Sequence, residues 1–146
     1  MSIKLYGINK WADENKMDMV LHVHFNDIPR KKKTTIGKYI GFAIYTPESQ
    51  MANSNESTKL AQSIFLQLSK KYKSSTYKKE LGGIVPDQTL IALGAKDTLS
   101  ESVRSILIEY GYIYQKIFRT SAARNTAYKN MADLTVKGIT KYFFNN

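Results

Sequence analysis

Apolar positions along this chain alternate between short strand-like runs and longer helical stripes. The run Met19-Val-Leu-His-Val-His-Phe25 is apolar and β-favouring, with Asp18 before it and Asn26, Asp27 and Pro29 after it. That pattern predicts a strand. Further strands are predicted at residues 40–45, 89–94 and 104–110, the last running into Gly111. Near-continuous apolar runs of this kind suit a sheet covered on both faces. Between the second and third runs, Leu60, Ala61, Ile64, Phe65, Leu68 and Tyr72 recur at helical spacing. Asn53 and Glu56 have the spacing of a capping box, and Lys70, Lys71 and Lys73 stand where a helix dipole favours cations. Ala127, Met131, Leu134, Gly138, Ile139 and Tyr142 trace a second helical face that runs to about Phe143. Pro29, Pro47 and Pro86 fall between these segments and read as punctuation. The order strand, strand, helix, strand, strand, helix predicts an α/β domain with helices packed on a mostly parallel sheet.

Composition narrows the chemistry. With 146 residues, 42% of them hydrophobic, the chain can bury one core without covalent staples. It contains no cysteine, which excludes disulfides and thiolate metal ligands, so any zinc must be held by imidazole and carboxylate. Lys plus Arg at 22 against Asp plus Glu at 12 gives a net charge of +10, which favours an anionic partner: nucleic acid, anionic lipid or anionic cell-wall polymer. The N-terminus lacks the apolar run of a signal peptide, and no stretch approaches the roughly 20 apolar residues of a membrane span.

Two sets of residues stand out chemically. His22 and His24 are two apart in a predicted strand and so project from the same face. Taken alone, such a pair fits ordinary polar residues at a strand edge better than it fits metal ligands. Glu109 follows Ile106-Leu-Ile108 and stands where its strand runs out. A carboxylate there is either paired with a lysine or arginine or placed for function, since ligand sites in open α/β sheets lie at the carboxyl ends of strands.

In order along the chain, four segments resemble the type-3 zinc-dependent N-acetylmuramoyl-L-alanine amidases. Asp18-Met-Val-Leu-His-Val-His24-Phe-Asn26 is similar to that family's histidine strand, and Gly41-Phe-Ala-Ile-Tyr45 to the strand after it. Ser57-Thr-Lys-Leu-Ala61 resembles the start of a family helix, and Ile106-Leu-Ile-Glu109-Tyr-Gly-Tyr112 the family's hydrophobic-Leu-hydrophobic-Glu-X-Gly-Phe segment. Counting a closing helix that contains Gly138-Ile139 and Tyr142-Phe143, the likeness runs from about Trp11 to Phe144.

The resemblance implies a peptidoglycan hydrolase that cleaves the amide between N-acetylmuramic acid and the L-alanine of the stem peptide. It implies Zn2+ with His24 as a ligand, Glu109 as the catalytic carboxylate, and Asn26, Arg30 and Lys31 toward the substrate. The substrate polymer is peptidoglycan or another anionic wall polymer, which sets the site of action in the cell wall or periplasm. The basic run 30–33 would border the active site, or would simply form a solvated loop.

The family's other two zinc ligands, a histidine in a Gly-His-Gly-Gly turn and a glutamate on the next helix, have no counterpart here. Residues 1–146 are therefore expected to form one amidase-like domain lacking the family's first strand and first helix. His22 stands in place of the usual serine, and with it two imidazoles are available. Catalytic zinc uses three protein ligands, so Asp13, Glu14, Asp18 or Asp27 would have to supply a third. Two other readings stay open. One is an inactive amidase-like domain that binds wall fragments. The other is a basic nucleic-acid-binding module that uses the ten tyrosines for stacking, although no RRM, KH or zinc-finger signature supports it.

Overall fold

The computed structural model describes residues 4–30 and 32–144. Its elements run α1 (Leu5–Glu14), β1 (Met19–Asn26), β2 (Ala43–Pro47), α2 (Ser54–Leu68), β3 (Ile84–Asp87), β4 (Arg104–Tyr112) and α3 (Ser121–Phe144). The four strands form one sheet in the order β1-β4-β2-β3. β1 runs parallel to β4 and β2 parallel to β3, while β2 and β4 meet antiparallel, so the sheet is mixed.

One face of the sheet carries α2 and α3. Ile44, Ile106, Ile108 and Tyr110 point into a core with Leu60, Ala61, Ile64, Leu68, Ala127 and Met131, which explains the helical stripes read from the sequence. The opposite face is covered by α1 and by short 3-10 turns, with Ala92 and Leu93 packed on Leu107, and Ala12 packed with Leu99 and Val103. Both faces of the central strands β2 and β4 are thus buried, as their near-continuous apolar runs require, while the edge strand β1 stays partly exposed.

Three expectations are corrected at the level of elements. The apolar run 89–94 is a 3-10 turn over Ile91–Leu93, and the strand precedes it as β3. Asp87 decides this: its Oδ1 accepts hydrogen bonds from the backbone N–H groups of Thr89 and Leu90, which closes the chain into a turn. Pro86, read as punctuation, lies within β3, and a proline is tolerated there because β3 is an edge strand. The capping box does not form. Asn53 instead donates its amide to the carbonyls of Leu93 and Val103, and Glu56 accepts from Lys59 and from the Tyr142 hydroxyl. Helix α1 was not visible as an apolar stripe. Beside the packing of Ala12, it is anchored by the buried Asn9, which donates to the Ile91 carbonyl and to Thr98.

A single glycine sets the closeness of the two long helices. A Cβ at Gly138 would lie 2.5 Å from the Ile64 Cα and 2.9 Å from its nitrogen, so α3 crosses α2 backbone against side-chain-free surface. Gly138→Ala gains about 1 kcal/mol of helix propensity but forces the helices apart, at an overpacking cost of about 1–3 kcal/mol. The expected outcome is net destabilisation in urea unfolding, with no change in the slope of the transition. A variant as stable as the parent would show that α2 and α3 part without cost.

Candidate active site

The parallel pairing of β1 with β4 sets the site. In its register His22 lies opposite Leu107 and His24 opposite Glu109. Directly paired residues project from the same face, and neighbouring strands are spaced by about 4.8 Å. His24 and Glu109 therefore stand side by side. Both line a cleft of about 480 Å³ together with Leu5, Asn26, Tyr45, Asp87 and Ile91, so α1, all four strands and the 3-10 turn contribute to its wall.

Beyond His24 the register shifts, and Asn26 comes opposite Tyr112. β4 thus carries one residue more than β1 over this stretch, a β-bulge next to Gly111, whose φ of 149° favours glycine. The extra residue changes the alternation, so Tyr112 falls on the same face as Asn26 and Glu109. Its backbone N–H donates to the Gln115 side-chain carbonyl at 2.8 Å, which holds the bend.

Glu109 is half-buried, and its Oε2 is enclosed with no hydrogen-bond partner. Burial, and then the negative charge of Glu80, push its carboxyl up to about 7. Behind the cleft lies Glu80, 1% exposed. Its Oε1 accepts from Asn26 Nδ2 at 2.9 Å and from the Tyr45 hydroxyl at 2.8 Å. Its Oε2 accepts from Ser75 Oγ at 2.5 Å and from the Tyr112 hydroxyl at 2.8 Å. Both phenols are held protonated well above the ordinary tyrosine range, by burial first and in part by these bonds to Glu80.

His24, Glu109 and Asn26 therefore meet in one cleft, and other candidates do not join them. His22 shares the face of His24 but sits deeper under the turn, where burial and the neighbouring His24 hold its imidazole below the ordinary value. Arg30 is drawn away, ion-paired to Asp27 at 3.1 Å with its guanidinium 4.7 Å from the centre of the Tyr114 ring. Lys31 lies outside the described residues. Asp13 is bound to Ser100 and with Glu14 lines a separate cavity. A second cleft of about 350 Å³, between β1 and α3, is lined by residues such as Leu21, Val23, Phe25 and Met131 and contains no carboxylate or imidazole.

Zinc needs three protein donors. Among the described residues no group of three or more His, Asp or Glu side chains is placed to hold a metal ion. Asp18 and Asp27 do not line the cleft, and His22 is turned into its cover. The donor set of the described residues therefore does not fit a catalytic zinc.

Sequence reasoning missed Glu80, Tyr45 and Asp87. Only Asp87 left a local signal, as the Asp-X-Thr pattern of a turn. Glu80 reads as part of the charged run Lys78-Lys79-Glu80, which any solvated loop would show.

A mixed α/β sheet with its polar cleft at the carboxyl ends of two parallel strands is the class of site seen in open-sheet enzymes. The chain belongs to the N-acetylmuramoyl-L-alanine amidase family, whose profile matches residues 2–141. Among curated protein sequences none matches it. Its fold is shared with solved amidases. The N-acetylmuramyl-L-alanine amidase of Mycobacterium smegmatis superposes with a TM-score of 0.75 at 18% identity, over 100% of this chain and 63% of that one. The apo form of the corresponding amidase of Mycobacterium abscessus gives 0.74 at 17% identity, over 97% and 62%. The CwlD amidase of Clostridioides difficile, solved in complex with the GerS lipoprotein, gives 0.61 at 20% identity, over 94% and 61%. The chain thus spans a little under two thirds of the length of these three proteins.

The raised Glu109 carboxyl makes a prediction for stability. Its folded value lies above its unfolded one, so ionisation disfavours the folded state and stability falls as pH rises from about 4.5 to about 7. Glu109→Gln removes that cost. In urea unfolding across this range, the variant is expected to gain on the parent as pH rises and to level off above pH 7. A gap independent of pH would mean that Glu109 titrates as an exposed carboxylate does.

Proposed function

We propose that this chain acts on peptidoglycan at the amide between N-acetylmuramic acid and L-alanine, with Glu109 moving the proton. One observation carries this reading. An enclosed, unpartnered carboxylate oxygen with its group titrating near 7 stands beside an imidazole at the end of two parallel strands. A proton-transfer group works best with a pKa near the working pH, where it both takes up and releases the proton readily.

Ionised Glu109 accepts a proton from the water that attacks the lactyl carbonyl carbon. As the C–N bond breaks, the same carboxyl passes that proton to the departing amine of L-alanine. The products are a lactyl carboxylate and a free α-amine. His24 adds an exposed imidazole to the same wall, a hydrogen-bonding group for the carbonyl side of the scissile bond. The resemblance to the family implies zinc at this point. The donors of this chain do not assemble a site for it, so the steps assigned here belong to the side chains alone.

The short donor set favours a second reading, in which the cleft holds the muramoyl–peptide junction without cleaving it. The two differ in product. With purified peptidoglycan, hydrolysis releases new amino termini, and Glu109→Gln is expected to lower that release about 10²- to 10⁴-fold while leaving the circular dichroism spectrum unchanged. Equal release by parent and variant would remove Glu109 from the chemistry. Retention of peptidoglycan without release by either would leave the binding reading.

A further inference from the structure

The cleft wall contains a device that the reaction itself does not use. Glu80 is buried with a full set of four hydrogen bonds, and among the described residues no lysine or arginine pairs with it. A carboxylate is only an acceptor, so every group bound to it must donate. That condition fixes the orientation of its neighbours. Asn26 must turn its NH2 toward Glu80 and spend one of its two N–H groups there, which fixes its carbonyl oxygen at the opposite end of the amide. Tyr45 must spend its hydroxyl proton on Glu80, which leaves only lone pairs on its oxygen. Both residues line the cleft. The other polar groups there are Asp87, Glu109 and His24, and among the described residues no lysine or arginine lines the cleft.

We propose that Glu80 is a positioning residue that sets the polarity of this cleft. By fixing the amide of Asn26 through one of its N–H groups and taking the single hydroxyl proton of Tyr45, it turns their oxygens into fixed acceptors, with Tyr45 left no donor at all, so the site selects its substrate through N–H donors of the peptide part. This rests on the reading that the cleft takes the muramoyl–peptide junction, whether or not it is cleaved there. Fixing the two acceptors in advance spares the binding step the ordering of two polar side chains. It also penalises a ligand that presents an oxygen in place of N–H, because two acceptors then face each other unpaired.

The test compares two ligands that differ at that one group: N-acetylmuramoyl-L-alanyl-D-isoglutamine, and its analogue with L-lactate in place of L-alanine, in which an ester oxygen replaces the N–H. Binding is measured calorimetrically with the full chain carrying Glu109→Gln to prevent turnover, then with Tyr45→Phe or Glu80→Gln added. The amide is expected to bind at least about tenfold more tightly than the ester, the worth of one hydrogen bond plus its unpaired partner. Either added substitution is expected to shrink that ratio to within about threefold. Should Glu80→Gln not fold, Tyr45→Phe carries the test, since it removes only one of the four donors around Glu80.

A residue that mattered only for stability would lower the melting temperature and leave the ratio alone. An unchanged ratio in both variants, or equal binding of amide and ester by the parent, overturns the positioning role and leaves the cleft as the binding site. If neither ligand binds and peptidoglycan is neither retained nor cleaved, the reading of the cleft fails and the positioning role falls with it.

Discussion

A carboxylate taken out of water without a cation beside it must be satisfied by hydrogen-bond donors, and Glu80 draws its donors from three strands at once. Asn26 comes from the end of β1, Tyr45 from β2 and Tyr112 from the end of β4, with Ser75 from the loop after α2. Removing such a charge from water costs several kcal/mol, and hydrogen bonds to a charged group return about 1.5–3 kcal/mol each. The four together offset the burial, whereas any one missing would leave a buried charge underserved. Other features of this end of the sheet follow from that demand. The bulge at Gly111 is what brings the Tyr112 hydroxyl round to the carboxylate, and the cleft opens where these strand ends are tied together.

The same anion acts on Glu109 through space. Two carboxylates near one another in a partly enclosed site resist ionising together, and burial adds to the effect. Glu80 has its full set of donors and Glu109 Oε2 has none, so the two share an environment but not a role. One is held by hydrogen bonds at both oxygens, and the other turns an unpartnered oxygen into the enclosed site.

Charge is distributed against expectation. A chain with a net charge of +10 favours an anionic polymer at its surface, yet the cleft is lined by Glu109 and Asp87 and, among the described residues, by no lysine or arginine. Arg30, the basic residue next to the histidine strand, is neutralised by Asp27 and packed on Tyr114. Excess positive charge and the acceptors of the cleft thus belong to different residues. This separation is physically reasonable, because electrostatic attraction is screened over about 10 Å, whereas hydrogen-bond geometry acts at contact.

Much of this protein is written locally. The β-favouring runs of β1 and β4 and the 3.6-residue stripes of α2 and α3 are properties of neighbouring residues, so they were legible without a structure, as was the placing of His24 and Glu109 on the first and last of these strands. The run 89–94 was misread because a short apolar stretch looks the same in a buried strand and a buried turn, and the side chain of Asp87 decides between them. The partnership of His24 with Glu109 depends on which strands pair and in what register, and no local pattern states that. Glu80 is the extreme case: in the chain it is one charge among lysines, and in the fold it is nearly fully buried. It becomes so because residues distant in sequence deliver their donors to one point, which only the tertiary arrangement of three strands can do.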